Sequence, residues 1–532
     1  MGIPSYFSYI IKNYSNIICK QNQVLNSNAI QYLFMDCNSI IYDEFRKMTE
    51  TDITYDNIEK TLIHNVIQKI SSYISYINPT TLVYIAFDGV APLAKMEQQR
   101  TRRYKSSAQS TSDSSWKTSN ITPGTPFMQK LTKQIRTSFN GLEKHFNVSQ
   151  IIVSGTDECG EGEHKMYHYI RNSNITTNDT IAVYGLDSDL IMLSVFHCYL
   201  TNNIFIFRET PVFGKQLIPD NSDDDEYLFL NINTFSHAIL REMHCDINDK
   251  HRLYDYIFMC FFLGNDFLPH FPSLNIRTNG IDTLLTTYRN IIIGNHSDHY
   301  LISPTTMEIE WEYVNIFIKE LAKNEHCRIQ NEYELRDKFG KRKWIIDTQQ
   351  SRDLMIESVP VIYRAEELYI APSERFWEKR YYKSLFSEHN IENICTNYLE
   401  GLEWVFKYYT VDCPDWKWRY NHHYPPLLTD LTKFVPKTKH NFIHNHDKSQ
   451  NKPFSDLVQL AFVLPPSNHS LLPKHVKHDM DTLYSNTFTN DLSYQWAFCR
   501  YFWESHAVLP FVTTSQLNEW DLKWTSNKKT KR

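Results

Sequence analysis

Short runs of apolar residues recur through the first 290 or so residues of the chain and alternate with stretches of helical periodicity. The runs lie at 31–36, 81–88, 150–154, 181–186 and 203–207, and they are rich in Val, Ile and aromatic residues. Continuous apolar runs of this length are typical of strands buried in a parallel sheet. The alternation therefore predicts an α/β fold, with a mostly parallel sheet flanked by helices.

The second half of the chain has a different pattern. Between about 300 and 350 the periodicity weakens and charged residues become more frequent, which predicts a connector. Amphipathic helical stretches follow, among them YLEGLEWVFKYYT at 398–410. We predict an α/β domain over 1–300, a connector over 301–350 and a mainly helical region over 351–532 that ends in a short basic tail.

Two polar segments interrupt the first half. Residues 105–125 are rich in Ser and Thr, which predicts an exposed and mobile loop. The acidic run at 223–226 has no apolar strand before it, so we interpret it as a solvated turn rather than as a metal site.

Carboxylates stand at the ends of the apolar runs, beside glycine or other small residues. The carboxyl ends of parallel strands face one crevice, where acids from several strands would repel one another unless cations lay among them. Numerous oxygen ligands suit Mg²⁺ or Mn²⁺, so the pattern predicts a two-metal hydrolase. The seven candidates for catalysis and metal binding are Asp36, Asp88, Glu161, Glu163, Asp187, Asp189 and Asp266.

The two glutamates in GEGEHK can bind in one site only if the backbone between them has a particular geometry. Residues two apart on a helix diverge by about 200°, so Glu161 and Glu163 reach one crevice only at a turn or at the entry of a helix. The neighbouring glycines permit such a turn, and HKMYHYIR is predicted as the helix that follows. The spacing of Asp187 and Asp189 in YGLDSDL, at a strand end, is stronger evidence for a metal site than GEGE alone.

A basic stretch begins seven residues after Asp88, in the predicted helix AKMEQQRTRR. Lys95, Gln99, Arg102 and Arg103 fall at i, i+4, i+7 and i+8, on one helical face. Such a run is usually a solvated face, but its place beside an acidic crevice favours a phosphate pocket, where Arg offers bidentate geometry.

Composition changes this picture little. A chain of 532 residues with 42% hydrophobic content is long enough for more than one domain, and it contains no apolar run long enough to span a membrane. Ten scattered cysteines without a CxxC pair indicate reduced thiols in an intracellular protein. The net charge of -6 does not exclude nucleic acid, because local basic patches matter more than the sum.

Several motifs resemble the XRN family of 5′→3′ exoribonucleases, in a short form of the catalytic core. They run in order from MGIPSYF through FDGVAPLAKMEQQRTRR, SGTDECGEGEHKMYHYIR, YGLDSDLIMLS and FMCFFLGNDFLPHFPSL to EGLEWVFKYY and CPDWKWRYNHHYPP. The resemblance implies a PIN-like α/β core whose pocket is completed by the helical region. It also implies two Mg²⁺ or Mn²⁺ ions and processive hydrolysis of 5′-monophosphorylated RNA to nucleoside monophosphates.

Carried over residue by residue, the resemblance assigns the seven acids to the metals and Lys95, Gln99, Arg102 and Arg103 to the 5′-phosphate. Tyr42 stands where the family usually has a base-stacking His, and it can still stack. Trp418, followed by Trp416, is the candidate to stack the first base, while either could instead belong to the core.

The resemblance implies single-stranded RNA with a 5′-monophosphate as the substrate and decapping factors as candidate protein partners. We expect no membrane partner, a monomer, and a location in the cytoplasm rather than in the nucleus. Two alternatives stay open: a structure-specific flap-type DNA nuclease with the same acidic core, and a catalytically silent RNA-binding protein.

Overall fold

The computed structural model describes residues 2–20, 24–25, 29–48, 55–109, 116–210, 227–443, 451–485 and 492–529. Within them, seven strands form one sheet in the order β1-β7-β6-β5-β2-β3-β4. The five strands from β6 to β4 are parallel, whereas β7 and β1 are antiparallel to their neighbours. The strands are β1 Ile18–Cys19, β2 Tyr32–Asp36, β3 Leu82–Ala86, β4 Gln150–Ser154, β5 Thr180–Tyr184, β6 Asn203–Glu209 and β7 Tyr227–Asn231.

The predicted α/β sheet is therefore confirmed, and each of the five predicted apolar runs overlaps a strand. The central strands are continuous apolar runs because both faces of the sheet are covered. Phe34 points into one hydrophobic core, while its neighbours Leu33 and Met35 point into the other. β7 was not predicted, although its sequence YLFLN is a short apolar run.

Helices cover both faces of the sheet in the first half of the chain. Ile40, Ile70 and Phe127 lie in the core on one face, and Ile10, Met166 and Leu193 lie in the core on the other. These helices are α1 Tyr6–Asn13, α2 Asn38–Lys47, α3 Tyr55–Ile77, α4 Leu93–Gln109, α5 Pro126–Phe139, α6 Gly162–Asn172, α7 Asp189–Phe196, α8 Ile232–Glu242, α9 Arg252–Cys260 and α10 Gly280–Tyr288.

The later part of the chain is mainly helical, as predicted, with one two-stranded hairpin of β8 Tyr494–Gln495 and β9 His506–Ala507. Its helices are α11 Trp311–Lys323, α12 Glu325–Gly340, α13 Gln349–Glu357, α14 Val359–Ile362, α15 Ala365–Ile370, α16 Trp377–Leu385, α17 Ile391–Thr410, α18 Leu428–Leu431, α19 Asp456–Val463, α20 Lys474–Ser485 and α21 Thr514–Lys529.

The region 301–350 contains all of α11 and α12 and the first two residues of α13. Trp311 and Phe317 of α11 belong to the same hydrophobic core as Phe34 of the sheet, and Leu402 of α17 lies in it as well. One continuous core thus joins the sheet to the helical region. The division of the chain into three parts stays a prediction.

The exposed loop predicted over 105–125 is wrong for the part that the structure describes. α4 continues to Gln109, and Trp116 is buried between Phe45 and Phe127 at ring distances of 4.8 and 5.3 Å. Thr125 caps α5 by accepting a hydrogen bond from the Met128 amide. The acidic run at 223–226 lies outside the described residues.

No helix in the described ranges is both long enough and apolar enough to cross a membrane.

Candidate active site

Four neighbouring parallel strands deliver acids to one edge of the sheet. In the order β5-β2-β3-β4, the strands carry the predicted acids at or shortly after their carboxyl ends. Asp36 is the last residue of β2, and Asp88 follows β3 by two residues. The Asn38 side-chain amide donates a hydrogen bond to Asp88 Oδ2. The side-chain oxygen of Asn38 accepts a hydrogen bond from the Asp88 backbone amide at 3.1 Å. This edge is where an open α/β sheet binds ligands.

The GEGE segment meets its geometric condition at a helix entry. Glu161 is the N-cap residue of α6, and Glu163 lies in the first turn of that helix, where the helix dipole favours a negative charge. Gly160 has φ of 103°, which an L-residue rarely adopts. The Gly162 amide donates to Asp88 Oδ1 at 2.7 Å, so the two acidic segments are joined directly.

A side chain at Gly162 would collide with the acids. A Cβ placed there would lie 2.7 Å from Asp36 Oδ1 and 3.5 Å from Asp88 Oδ1. Glycine is therefore required at this position for the Asp36 and Asp88 carboxylates to approach the entry of α6.

The segment after β5 contains two further acids of the predicted set, Asp187 and Asp189. Gly185 follows the strand, and Asp189 is the first residue of α7. The segment at the start of the chain packs against them: a Cβ on Gly2 would lie 2.0 Å from Asp189 Oδ1. The Ser188 hydroxyl donates to the Ile3 carbonyl at 3.5 Å. The first residues of the described chain thus form one wall of the acidic crevice.

Lys95 lies inside the acidic cluster. Its Nζ is 2.5 Å from Glu161 Oε1 and 2.7 Å from Asp266 Oδ2, and the three side chains are at most 10% exposed. Asp266 comes from the loop after α9, far along the chain from the strand-end acids. A buried ammonium between two carboxylates balances part of the negative charge of this edge.

The pKa values show how strongly the acids interact. Burial, followed by the nearby Asp88 and Asp187 carboxylates, raises the pKa of Asp36 well above its usual range. Burial and the Asp266 carboxylate raise the pKa of Asp189 to about 7. Burial also opposes ionisation of Asp266, but the nearby positive charges, chiefly the Lys95 ammonium, together outweigh it and lower the pKa of Asp266 to about 2. The cluster carries more negative charge than Lys95 alone neutralises.

This donor set fits hard divalent cations. Asp36 Oδ1 and Asp189 Oδ1 are buried and have no hydrogen-bond partner among the residues that the structure describes. Glu161, Glu163 and His164 offer ligand atoms that all lie within 4.8 Å of one another. Carboxylate oxygens at one buried edge are the ligands that Mg²⁺ and Mn²⁺ prefer. His164 was missed as a candidate, although it directly follows the second Glu of GEGEHK.

The side chains of the four predicted phosphate-binding residues on α4 have different contacts. Lys95 is engaged with the acids, and Gln99 Oε1 accepts a hydrogen bond from the Gln459 side chain at 3.4 Å. Arg103 donates to the Ile121 carbonyl at 3.3 Å and interacts with the Tyr42 phenol. Arg102 is exposed and makes no hydrogen bond or ion pair within the described ranges.

Arg102 opens onto a cavity of about 610 Å³ that also reaches the acids. Asp187 and Asp266 line it on one side, and His270 and His423 line it on another. This cavity offers an anionic ligand a free guanidinium beside the acidic cluster. A larger depression of about 980 Å³ lies at the amino ends of β2, β3 and β4, and it contains none of the predicted site residues.

The stacking candidates differ in accessibility. Trp418 is only 8% exposed and stacks on Trp404, with ring centroids 5.2 Å apart, so it presents little surface to a base. Trp416 is half-buried beside the start of α4, where its carbonyl accepts a hydrogen bond from the Leu93 amide. Tyr42 is half-buried next to Arg103. The geometry favours Tyr42 and Trp416, and their stacking role stays a prediction.

Comparison with known families agrees with the motifs along the chain. Residues 1–210 match the family described as XRN 5'-3' exonuclease N-terminus. Residues 246–366 and 370–528 match the family described as Xrn1 helical domain, which covers more than half of the chain. The chain belongs to the XRN 5′-3′ exonuclease family.

Proteins named as 5'-3' exoribonucleases are similar over most of this chain. The 5'-3' exoribonuclease 1 of Saccharomyces cerevisiae is 25% identical and is matched over 89% of this chain and 40% of its own length. The human 5'-3' exoribonuclease 1 is 25% identical and is matched over 98% of this chain and 34% of its own length. The 5'-3' exoribonuclease 2 homolog of Drosophila melanogaster is 23% identical over 97% of this chain and 70% of its own. This chain thus spans less than half the length of the yeast and human proteins.

Among solved structures, the catalytic core of Rad2 in complex with DNA substrate is similar over 61% of this chain and 81% of its own. The identity is 12% and the TM-score is 0.31.

Proposed function

We propose that this XRN-family chain is a metal-dependent 5′→3′ exoribonuclease that hydrolyses 5′-monophosphorylated RNA processively to nucleoside monophosphates. The observation that carries the proposal is the convergence of acids from four adjacent strand ends on one buried edge, next to a cavity with the free guanidinium of Arg102. The names of the relatives support RNA as the substrate and the 5′ end as the starting point.

The acids would hold two Mg²⁺ or Mn²⁺ ions. When bound, such ions supply Lewis-acid activation of the scissile phosphate and of the attacking water. Support comes from their positions: Asp36, Asp88, Asp187 and Asp189 stand at or after the ends of β2, β3 and β5, and Glu161 and Glu163 lie at the entry of the helix that follows β4. Asp266 reaches the same cluster from the loop after α9, through Lys95.

We propose for Lys95 a role in addition to the phosphate binding that the family resemblance implies. Its ammonium holds Glu161 and Asp266 together, so it keeps two acids at a short separation before cations bind. The ammonium also lies beside the acidic edge at which the scissile phosphate would lie, where it would offset phosphate charge. Lys95 thereby links the acidic edge to the basic face of α4.

Arg102 provides the recognition of the terminal phosphate. A guanidinium binds phosphate oxygens in bidentate geometry, and that of Arg102 is not committed to another residue in the described ranges. A 5′-hydroxyl end would leave it without an anionic partner. Tyr42 and Trp416, both near α4, are the proposed stacking partners of the first base.

A time course with end-labelled substrates tests the proposal. RNA and DNA of one sequence, each with a 5′-monophosphate, and a branched DNA are incubated with the chain in Mg²⁺ and in EDTA. We expect RNA to shorten from its 5′ end with release of mononucleotides, in Mg²⁺ only. Cleavage of branched DNA at an internal position would instead indicate a flap-type nuclease, and binding without turnover would indicate a silent RNA-binding protein.

We propose in addition that the protein acts as a monomer inside the cell, in the cytoplasm, with decapping factors as candidate partners. Its ten cysteines are free thiols, as in proteins of reducing compartments. Fractionation of cells that express the tagged chain tests the compartment, and sedimentation of the purified protein tests the oligomeric state.

A further inference from the structure

Helix α17, from the second half of the chain, contacts the acidic cluster through two consecutive tyrosines. The Tyr408 hydroxyl donates a hydrogen bond of 2.8 Å to Glu161 Oε2, across 247 positions of sequence. Tyr409 interacts with the Asp189 carboxylate. Both tyrosines are buried, at 2% exposure each, so neither offers its ring to a substrate base.

Tyr408 is itself held in place on both faces. The His164 ring stacks on it at 3.6 Å between centroids, and the Trp404 ring stacks on it at 4.7 Å. Phe267, which follows Asp266, packs edge-on against Tyr408 at 5.4 Å. A phenol fixed in this way has one hydroxyl position, and that position is at Glu161.

The two oxygens of Glu161 have different partners. Oε1 is paired with the Lys95 ammonium, and Oε2 accepts from the Tyr408 phenol. A carboxylate without the second bond could rotate about its last side-chain torsion, which has only broad minima. The phenol therefore selects one orientation of a metal-ligand candidate.

We infer that Tyr408 is a positioning residue: it orients Glu161 for divalent-cation binding, with Tyr409 acting in the same sense on Asp189. The inference rests on the proposed metal-dependent function and adds a role for the helical region. Partners of this kind, which hold a ligand through a hydrogen bond, commonly change metal affinity by about 10–100-fold when they are removed.

The test measures Mn²⁺ binding directly, by titration followed through the electron paramagnetic resonance signal of free Mn²⁺. Tyr408→Phe and Tyr409→Phe remove one hydroxyl each and retain the ring. Tyr398→Phe is the matched control, because Tyr398 is buried on the same helix and its hydroxyl donates to the Pro269 carbonyl at 3.0 Å rather than to an acid of the cluster. Thermal unfolding in EDTA is recorded for each variant.

We expect Tyr408→Phe to weaken Mn²⁺ binding by about tenfold and Tyr409→Phe to weaken it less, while Tyr398→Phe binds like the wild type. Saturating Mn²⁺ should restore turnover of RNA by Tyr408→Phe. Wild-type affinity in Tyr408→Phe, or an equal loss in Tyr398→Phe, would overturn the inference. So would a loss that follows thermal stability in EDTA rather than the identity of the hydroxyl.

The same experiment separates this inference from the proposed function. A wild-type chain that binds Mn²⁺ but degrades no RNA would refute the exoribonuclease and leave the positioning role to be judged by the variants. An active wild type whose Tyr408→Phe variant binds Mn²⁺ normally would refute the positioning role alone. A wild type that binds no Mn²⁺ would overturn the inference whatever its activity.

Discussion

Lys95 Nζ lies 2.7 Å from Asp266 Oδ2, so a residue of the predicted phosphate-binding face contacts one of the predicted metal ligands. The two residues are 171 positions apart and belong to motifs to which the sequence assigns separate roles. Their contact shows that the basic helix α4 and the acidic sheet edge form one site. Charge in this site is shared between the acids, Lys95 and the cations that the acids would hold.

Replacement of Asp187 or Asp189 with Asn should abolish RNA degradation and leave RNA binding measurable. Partners of metal ligands already change activity by about 10–100-fold, so loss of a ligand should cost more than about 100-fold. The rate is measured in single-turnover assays and binding by filter retention. Asp353→Asn, at an exposed carboxylate of α13, is the control. Undiminished turnover in either variant would contradict the metal assignment.

Removal of the Arg102 side chain should weaken the preference for 5′-monophosphate ends. A hydrogen bond to a charged group contributes about 1.5–3 kcal/mol, so the ratio of rates on 5′-monophosphate and 5′-hydroxyl RNA should fall by at least about tenfold in Arg102→Ala. Competition between the two substrates in one reaction measures that ratio. Arg375→Ala removes an exposed guanidinium elsewhere and should keep it. Equal rates on both ends by the wild type would argue against the pocket itself.

Two substitutions at Tyr42 separate stacking from its contact with Arg103. Base–aromatic stacking contributes about 1–3 kcal/mol, so Tyr42→Ala should raise the dissociation constant of single-stranded RNA by about tenfold. Tyr42→Phe retains the ring and loses only the phenol, so it should bind almost as tightly as the wild type. Fluorescence anisotropy with labelled RNA in EDTA provides both constants. Equal losses in the two variants would assign the effect to the phenol and Arg103.

The stability of the chain should fall as pH rises toward neutrality because of Asp255. This side chain is fully buried and accepts hydrogen bonds from the Tyr288 hydroxyl at 2.6 Å and the Ile302 amide at 2.8 Å. Burial raises its pKa to about 7, so the folded state keeps a proton that the unfolded chain loses near pH 4. The stabilising contribution is complete below about pH 4 and disappears as pH rises to about 7.

Urea unfolding in EDTA at several pH values checks this effect. Between about pH 5 and 7, the free energy of unfolding should fall more steeply for the wild type than for Asp255→Asn, by about 1–3 kcal/mol. The Asn amide has the shape of the neutral carboxyl group and does not titrate. Parallel pH dependence in the two proteins would show that Asp255 is ionised in the folded state at low pH.

Sequence alone determined the five parallel strands of the sheet and the acids at or after their ends. A buried parallel strand needs a continuous apolar run, and its carboxyl end must lie at the ligand-binding edge, so the places of Asp36, Asp88 and Asp187 follow from local pattern. The helix entry at Glu161 follows in the same way from its glycines. These features depend on neighbours in the chain, which the sequence shows directly.

Only the tertiary structure decided which side chains meet across the site. The bond from Tyr408 to Glu161 joins residues 247 positions apart, and nothing in the period of α17 distinguishes Tyr408 from a residue of the core. Likewise, α4 predicts one basic face, yet packing against Asp266 and the core directs Lys95 to the acids and leaves Arg102 open. Trp418 belongs to the core, where its ring packs against that of Trp404. Such contacts depend on how distant elements pack, which local periodicity does not specify.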